Sequence, residues 1–493
     1  MTSAPPEEED GAGEPPVRRR SGGSFSHVGQ VVWLAWPAVL SYILNNAYRI
    51  NDQFWIQGLG GAAQSALGAT LFVGIAHFAL VYLGAGGTLS LVARATGAGD
   101  ARAADRVARH ALGLTLAIGT MTACLGPLAT PAICRLLGLT GETALLAEEY
   151  LATLFTLSVP LALAVVIDHV FIGRGNTLMP MLLQLVAVAL NFLLNPVLIY
   201  GAGADTALVG VPGAELYAAA AASVGGALGL DGLGMRGAAL ATGLSRLVTG
   251  AVGLAILHRV YGVRLVGRGR PDWPLVRRIA GISVPVSVSI ATYAAVYWAL
   301  LGLVLARLPD EVKGGLGLGF QVFEGVAFPT YLGTSMACAT LVGQRLGAGD
   351  PAGAVSVAAS ARWVGRALGL LSTAVFLLGA GWIAPHFTRD PAVLQETLLY
   401  VKLLAFSQFF VATQVINEKV LLGAGHTRPI LWISTTGDLL RIPIGWWLAL
   451  HLGHGAAGVW WAINLTTYYK ALLMWMAVQR GTWMRTAPAP VAT

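Results

Sequence analysis

The chain alternates long apolar runs with short polar joints. Hydrophobic runs lie at 28–57, 63–95, 108–137, 146–173, 178–201, 233–259, 280–306, 316–345, 357–386, 393–423, 428–452 and 457–479. Each is long enough to cross a bilayer, since about 20 apolar residues at 1.5 Å apiece span the hydrocarbon core. The pattern predicts an all-α polytopic membrane protein with twelve transmembrane helices. Residues 1–25 are polar, acidic at Glu7 to Asp10 and basic at Arg18 to Arg20. They lack the apolar stretch and cleavage site of a signal peptide and read as a disordered tail.

The joints carry a second pattern. Arg94, Arg102, Arg106 and Arg109 follow the second run, and Arg264, Arg268, Arg270, Arg277 and Arg278 follow the sixth. With Arg18–Arg20 before the first run and Arg480 and Arg485 after the last, they fall on one side of an alternating twelve-helix chain. The opposite side is poorer, with Arg307 and Lys313 in one joint and Arg389 in another. By the positive-inside rule both termini are cytoplasmic, in an inner (plasma) membrane. Segment 202–232 then lies outside, its alanine run a short interfacial helix or a loose loop.

A repeat recurs at 250 residues. LVARATGAGD ends at Asp100 and LVGQRLGAGD at Asp350, and GRGNT (173–177) returns as GAGHT (423–427). Six helices per repeat leave both halves in one orientation, related by a pseudo-twofold along the membrane normal. The domains expected are a tail at 1–25, a six-helix lobe at 26–260, a cytoplasmic linker at 261–279, a second six-helix lobe at 280–482 and a tail at 483–493.

Composition agrees with this picture. Of 493 residues, 56% are hydrophobic and only 11% charged, with mean hydropathy +0.68; a soluble domain has about a quarter charged. The net charge of +7 comes from arginines at helix ends, so it reports orientation and no nucleic-acid surface. Cys124, Cys134 and Cys338 sit in apolar runs without metal or redox spacing and read as core thiols. No Walker loop, H-E-x-x-H or nucleophile elbow appears, which argues against ATP-driven transport and against an enzyme. GAGD reads as a glycine turn after a helix. His451 and His454 read as a solvated external joint.

Candidate chemistry lies inside the runs. In 28–57, Asn45, Tyr48, Arg49 and Asp52 fall at i, i+3, i+4 and i+7 and form one polar stripe. An ionisable group facing lipid costs about 2.5–3.5 kcal/mol or more, so the stripe faces protein or water and Asp52 is a functional candidate. An Arg49–Asp52 staple is the structural alternative. The other polar residues are Asp168 and His169, Asn191 and Asn195 one turn apart, Glu324, then Gln414, Asn417, Glu418 and Lys419, then Asp438, Arg441 and Lys470. Asp168 and Glu418 are related by the repeat. Glu418–Lys419 and Asp438–Arg441 read as pairs. Asp52, Asp168, Asn191 and Asn195 lie in one lobe and are expected to form one proton or Na⁺ site, with Arg49, Glu418, Gln414 and Glu324 as possible modulators.

As a set, these features resemble the multidrug and toxic compound extrusion (MATE) transporters, in particular their DinF-like prokaryotic branch. The resemblance covers residues 28–480. It rests on Pro37, Tyr48-x-x-x-Asp52 with the following GLG, the two GAGD joints, GRGNT, NFLLNP (191–196), GAGHTRP and RIP (441–443). It implies two six-helix bundles around a central V-shaped cavity, alternating access, and export of organic, amphiphilic or cationic compounds driven by H⁺ or Na⁺, with no cofactor. Asp52 would be the coupling carboxylate, with Tyr48 and Asn191 as its hydrogen-bonding neighbours. Asn195 stands where the branch usually has Asp, and Asp168 where it often has Asn, so a second carboxylate is expected to have moved between helices. Val411 replaces the acidic group of another branch. The expected partners are a small-molecule substrate and the lipid bilayer, with the chain a monomer. Two rival readings are a lipid-linked sugar flippase of the same superfamily and a non-transporting scaffold on a degenerate transporter fold.

Overall fold

The computed structural model describes residues 27–207, 215–263 and 271–485. Among these the chain is helical, with no strand. Arg18–Arg20, Arg264, Arg268, Arg270 and the tail beyond Arg485 lie outside the described residues, so the orientation argument from them is untouched here. The first half contains α1 (Val28–Ile56), α2 (Leu71–Gly97), α3 (Ala101–Leu136), α4 (Gly141–Thr156), α5 (Ser158–Gly173), α6 (Leu178–Tyr200), α7 (Glu215–Ala227) and α8 (Gly234–Tyr261). The second contains α9 (Trp273–Leu303), α10 (Asp310–Leu318), α11 (Gly325–Gly347), α12 (Pro351–Ala374), α13 (Pro391–Gly423), α14 (Arg428–Trp446) and α15 (Gly455–Gln479).

Nine helical runs among the described residues are long and apolar enough to cross a membrane, and α4 with α5, bent by 56°, makes a tenth. The segments α14 and α15 occupy the last two runs of the pattern without reaching that standard, so the count of twelve rests on the pattern. Several helices start before their apolar run does. The charged residues Arg102, Asp105, Arg106 and Arg109 are already helical in α3, capped by Asp100 accepting from Ala103 N at 2.8 Å. Likewise Asp272 caps α9 by accepting from Leu275 N at 3.1 Å. An acidic cap satisfies backbone donors that would otherwise be orphaned at the helix start. The alanine run of 202–232 is helical as α7, thirteen residues that are too short to span. Cys134 and Cys338 are buried, but Cys124 is exposed and so is no core thiol.

The halves meet through two repeat-related helix pairs, α1 on α11 and α2 on α9. Their apolar cores show the shape. One cluster joins both halves, with Leu89, Val92, Val107 and Phe171 from the first and Ile279, Met336, Val342 and Val420 from the second. It lies at the end of the helices that bears the GAGD, GRGNT and GAGHT turns. At the other end there are two separate clusters. One, with Trp55, Leu151, Phe155 and Met235, belongs wholly to the first half. The other, with Leu300, Phe323, Tyr400 and Trp460, belongs wholly to the second. The molecule is therefore a V, closed at the turn end and parted at the open end. Large side chains such as Trp33, Leu128 and Leu378 are 71–84% exposed around the outside, where lipid tails replace water.

A clasp of side chain to backbone holds the turn end. Ser90 Oγ donates to Gly423 O at 3.1 Å and Arg94 donates to Ala424 O at 2.6 Å. From the other side, Thr340 Oγ1 donates to Ile172 O at 3.1 Å and Gln344 Nε2 to Gly173 O at 3.2 Å. Ser90 and Thr340, and Arg94 and Gln344, are 250 residues apart, so each half grips the other in the same way. Glycine permits the approach. A Cβ on Gly97 would stand 1.9 Å from Gln344 O, and one on Gly347 would stand 2.0 Å from Arg94 O. Gly99 and Gly349, at φ 74° and 71°, then turn the chain into the next helix, as the GAGD reading expects.

Candidate functional site

The polar stripe expected on the first run is two stripes. Tyr48 and Asp52 turn into the first half, joined by Asn51 and Trp55, and all four are buried. Asn45 and Arg49 are exposed on an adjoining face. No bond joins Arg49 to Asp52, which removes the staple reading; Arg49 has no hydrogen-bond or ion-pair partner among the described residues.

Asp52 sits where α1, α6 and α8 meet, only 5% exposed. Its Oδ1 accepts from Asn195 Nδ2 at 2.8 Å and from Asn191 Nδ2 at 3.1 Å, and its Oδ2 accepts from Thr242 Oγ1 at 3.1 Å. The spacing of Asn191 and Asn195 puts both on one face of α6, aimed at the same carboxylate. Around this core, Asn51 donates to Asn191 Oδ1 at 2.7 Å, and Trp55 Nε1 donates to Asn51 Oδ1 at 2.9 Å. The Tyr48 hydroxyl donates to Thr242 O at 3.0 Å and also contacts Ser245 Oγ. Tyr48 thus braces α8 and does not touch the carboxylate. The side-chain oxygen of Asn195 is buried and has no partner. A carboxylate with three neutral donors and a spare acceptor beside it has the chemistry to take up a proton or a hard monovalent cation.

Asp168 is not a member of this cluster. It is half-buried on α5 and makes no hydrogen bond to Asp52 or to any other described residue. The charged group acting on it is Arg246, which acts on Asp52 as well. Arg246 lies 5.1 Å over the Tyr48 ring and donates to Gln184 Oε1 at 2.7 Å. Of the four residues expected in one site, Asp52, Asn191 and Asn195 come together, joined by Thr242, while Asp168 makes no bond to them. Thr242, Ser245 and Arg246 of α8, and Asn51, escaped the sequence reading. The signal was there, because Thr242, Ser245 and Arg246 crowd one turn of an otherwise apolar run.

The modulator residues of the second half fall in other places. Glu418 pairs with Lys419 at 2.7 Å, as read from the sequence. Asp438 pairs with Arg441 at 3.7 Å, also as read, and with Lys470 of α15 at 2.7 Å. Arg441 further donates to Thr466 Oγ1 at 3.2 Å and lies 5.3 Å over the Tyr297 ring, itself 4.7 Å from that of Tyr293. Glu324 ends a π-helical segment, Gly319–Glu324, beside Tyr400. Gln414 is half-buried with no described partner. Among the described residues no group of three His, Cys, Asp or Glu side chains is placed to hold a metal.

A V of two clasped, repeat-related helical halves with a buried carboxylate in one of them defines a polytopic membrane protein of the transporter class. The MatE family model matches residues 37–197 and 285–447, and the chain belongs to that family, the MATE transporters. A Thermotoga maritima protein named probable multidrug resistance protein NorM is 24% identical over 93% of this chain and 93% of its own. One of the same name from Bradyrhizobium diazoefficiens is 28% identical over 90% and 91%. Among solved structures, one described as the outward-facing conformation of a multidrug resistance MATE family transporter superposes with TM-score 0.80 at 21% identity, covering 95% of this chain and 98% of that one.

Proposed function

We propose that this chain is a secondary active antiporter that exports organic amphiphilic or cationic compounds in exchange for inward H⁺ or Na⁺. The observation that carries the reading is Asp52, buried and held by three neutral donors with no cation bonded to it. Neutral donors hold the carboxylate without neutralising it, so it can exchange a proton or Na⁺ with whichever side the cleft faces. The NorM names of the relatives support multidrug export. The DinF-like branch rests on the first-half site alone. The positive-inside pattern places the turn end, with both termini, in the cytoplasm of an inner membrane, so the V opens outward. Ion binding from outside biases the halves toward breaking the clasp, and substrate binding from inside favours the return.

Purified protein in proteoliposomes under an imposed pH gradient, and separately a Na⁺ gradient, tests this. Export of a dye driven by one gradient and lost in Asp52→Asn at matched protein level supports it. Full gradient-driven export by Asp52→Asn sinks Asp52 as the coupling group.

A further inference from the structure

Apart from Asp168, the interior charges near the cleft are mostly answered by another group. Asp438 has Lys470 and Arg441, Glu418 has Lys419, and Arg246 has Gln184 and the Tyr48 ring. Arg49 is exposed and without a hydrogen bond or ion pair among the described residues.

Its place on α1 decides what it faces. Tyr48, Asn51, Asp52 and Trp55 enter the first half. Asn46 points the other way and donates to Gly325 O of the second half at 3.1 Å. Ile50 and Phe54, 51% and 36% exposed, take the lipid side. Tyr42, Asn45 and Arg49, at i, i+3 and i+7, occupy the remaining face, which looks between the halves. The groups that act on them agree. The ionisable groups whose charge acts on Tyr42 come from both halves, Tyr82 and Asp168 from the first and Lys419 from the second. The strongest ionisable neighbours of Arg49 are Tyr150 of the first half and Tyr293 of the second, ahead of Asp52. By its helix face Arg49 therefore looks into the space between the halves.

We propose that Arg49 receives an anionic group of the transported compound, so that the cleft selects aromatic amphiphiles bearing a carboxylate or similar oxyanion over plain organic cations. A guanidinium offers a planar fork of donors that matches a carboxylate, and its positive charge opposes a bare cation at the same depth. Tyr293, half-buried in the second half and 4.7 Å from the Tyr297 ring, supplies an aromatic wall for the rest of the molecule. This deepens the antiporter reading and rests on it.

The probes are dansylglycine and its methyl ester, which differ in charge at one carboxyl. Binding is followed by fluorescence on the full chain in phosphatidylcholine nanodiscs. Wild type binds the acid about tenfold more tightly than the ester, as one charge-assisted contact supplies. Arg49→Gln binds both alike, and Arg49→Lys keeps part of the preference. Equal binding of acid and ester by wild type, or an unchanged preference in Arg49→Gln, overturns the proposal. An anionic lipid headgroup has the same chemistry, so the titration is repeated with phosphatidylglycerol. Retained acid binding there supports a substrate site, and its loss assigns Arg49 to lipid and overturns the proposal. Binding needs no gradient, so failure here leaves the antiporter reading standing, while Asp52→Asn tests that reading separately.

Discussion

Asp52 in the first half and Asp438 in the second are both buried, at 5% and 2% exposure, yet their surroundings are opposite. Asp52 is met by two amides and a hydroxyl. Asp438 is met by two cations, Lys470 at 2.7 Å and Arg441 at 3.7 Å. The repeat sharpens the contrast, because the residue 250 positions after Asn191 is Arg441. The same place on related helices thus carries a neutral donor in one half and a fixed charge in the other. Neutral donors leave the charge of a carboxylate uncompensated, whereas two cations compensate that of Asp438 in place. On the antiporter reading, the first half would carry the switch and the second half the fixed scaffold.

Removing each acid in turn tests the contrast, and the largest effect is functional. Asp52→Asn keeps the volume and the hydrogen-bond frame, so gradient-driven export falls to background while thermal unfolding in detergent stays close to wild type. Asp438→Asn leaves Lys470 buried without its partner, a change that costs about 3–5 kcal/mol. It is expected to appear as a large drop in melting temperature and poor yield, with stability partly regained when Lys470→Met is added. A stable Asp438→Asn protein that has lost only coupling would mean that the second half also switches.

Asp168 gives a smaller and finer test. Had it shared the site with Asp52, moving the carboxylate back by Asp168→Asn with Asn195→Asp would restore coupling. Because Asn195 Nδ2 donates to Asp52 at 2.8 Å, an acid at 195 removes that donor and sets a second carboxylate against the first. The double variant is expected to transport less than Asp168→Asn alone. A rescue would show that both positions reach one network.

The smallest effect belongs to the clasp. Thr340→Val removes its bond to Ile172 O, worth about 1 kcal/mol, which shifts an open–closed equilibrium roughly fivefold. Distance measurements between spin labels at the open end would record the shift toward a narrower cleft. No change in the distance distribution would mean that the shared apolar core alone sets the resting state.

Much of this was legible beforehand. The apolar runs mark the helices, the 250-residue repeat marks two related halves without showing how they grip each other, and Asp52, Asn191 and Asn195 stand out as polar residues inside apolar runs. The failures have physical causes. Short joints bring the helices of Asp168 and Asp52 together, but nothing in chain order fixes the rotation of α5, and Asp168 makes no hydrogen bond to Asp52. Lys470 answers Asp438 from a different helix, a pairing that spacing does not encode. The stripe on α1 split because residues at i and i+3 diverge enough around a helix to face different neighbours when three bodies converge on it.

The clasp has a consequence for genetics. Its four donors are the side chains of Ser90, Arg94, Thr340 and Gln344, but its acceptors are the main-chain oxygens of Gly423, Ala424, Ile172 and Gly173. A substitution scan would register the grip in two ways: as loss of a donor at the four side chains, and as a steric clash at the glycines, since a Cβ on Gly423 would stand 2.3 Å from Ala339 O. At Ile172 and Ala424 every amino acid brings the same carbonyl, so there the contact is insulated from point mutation as long as the path of the chain is kept.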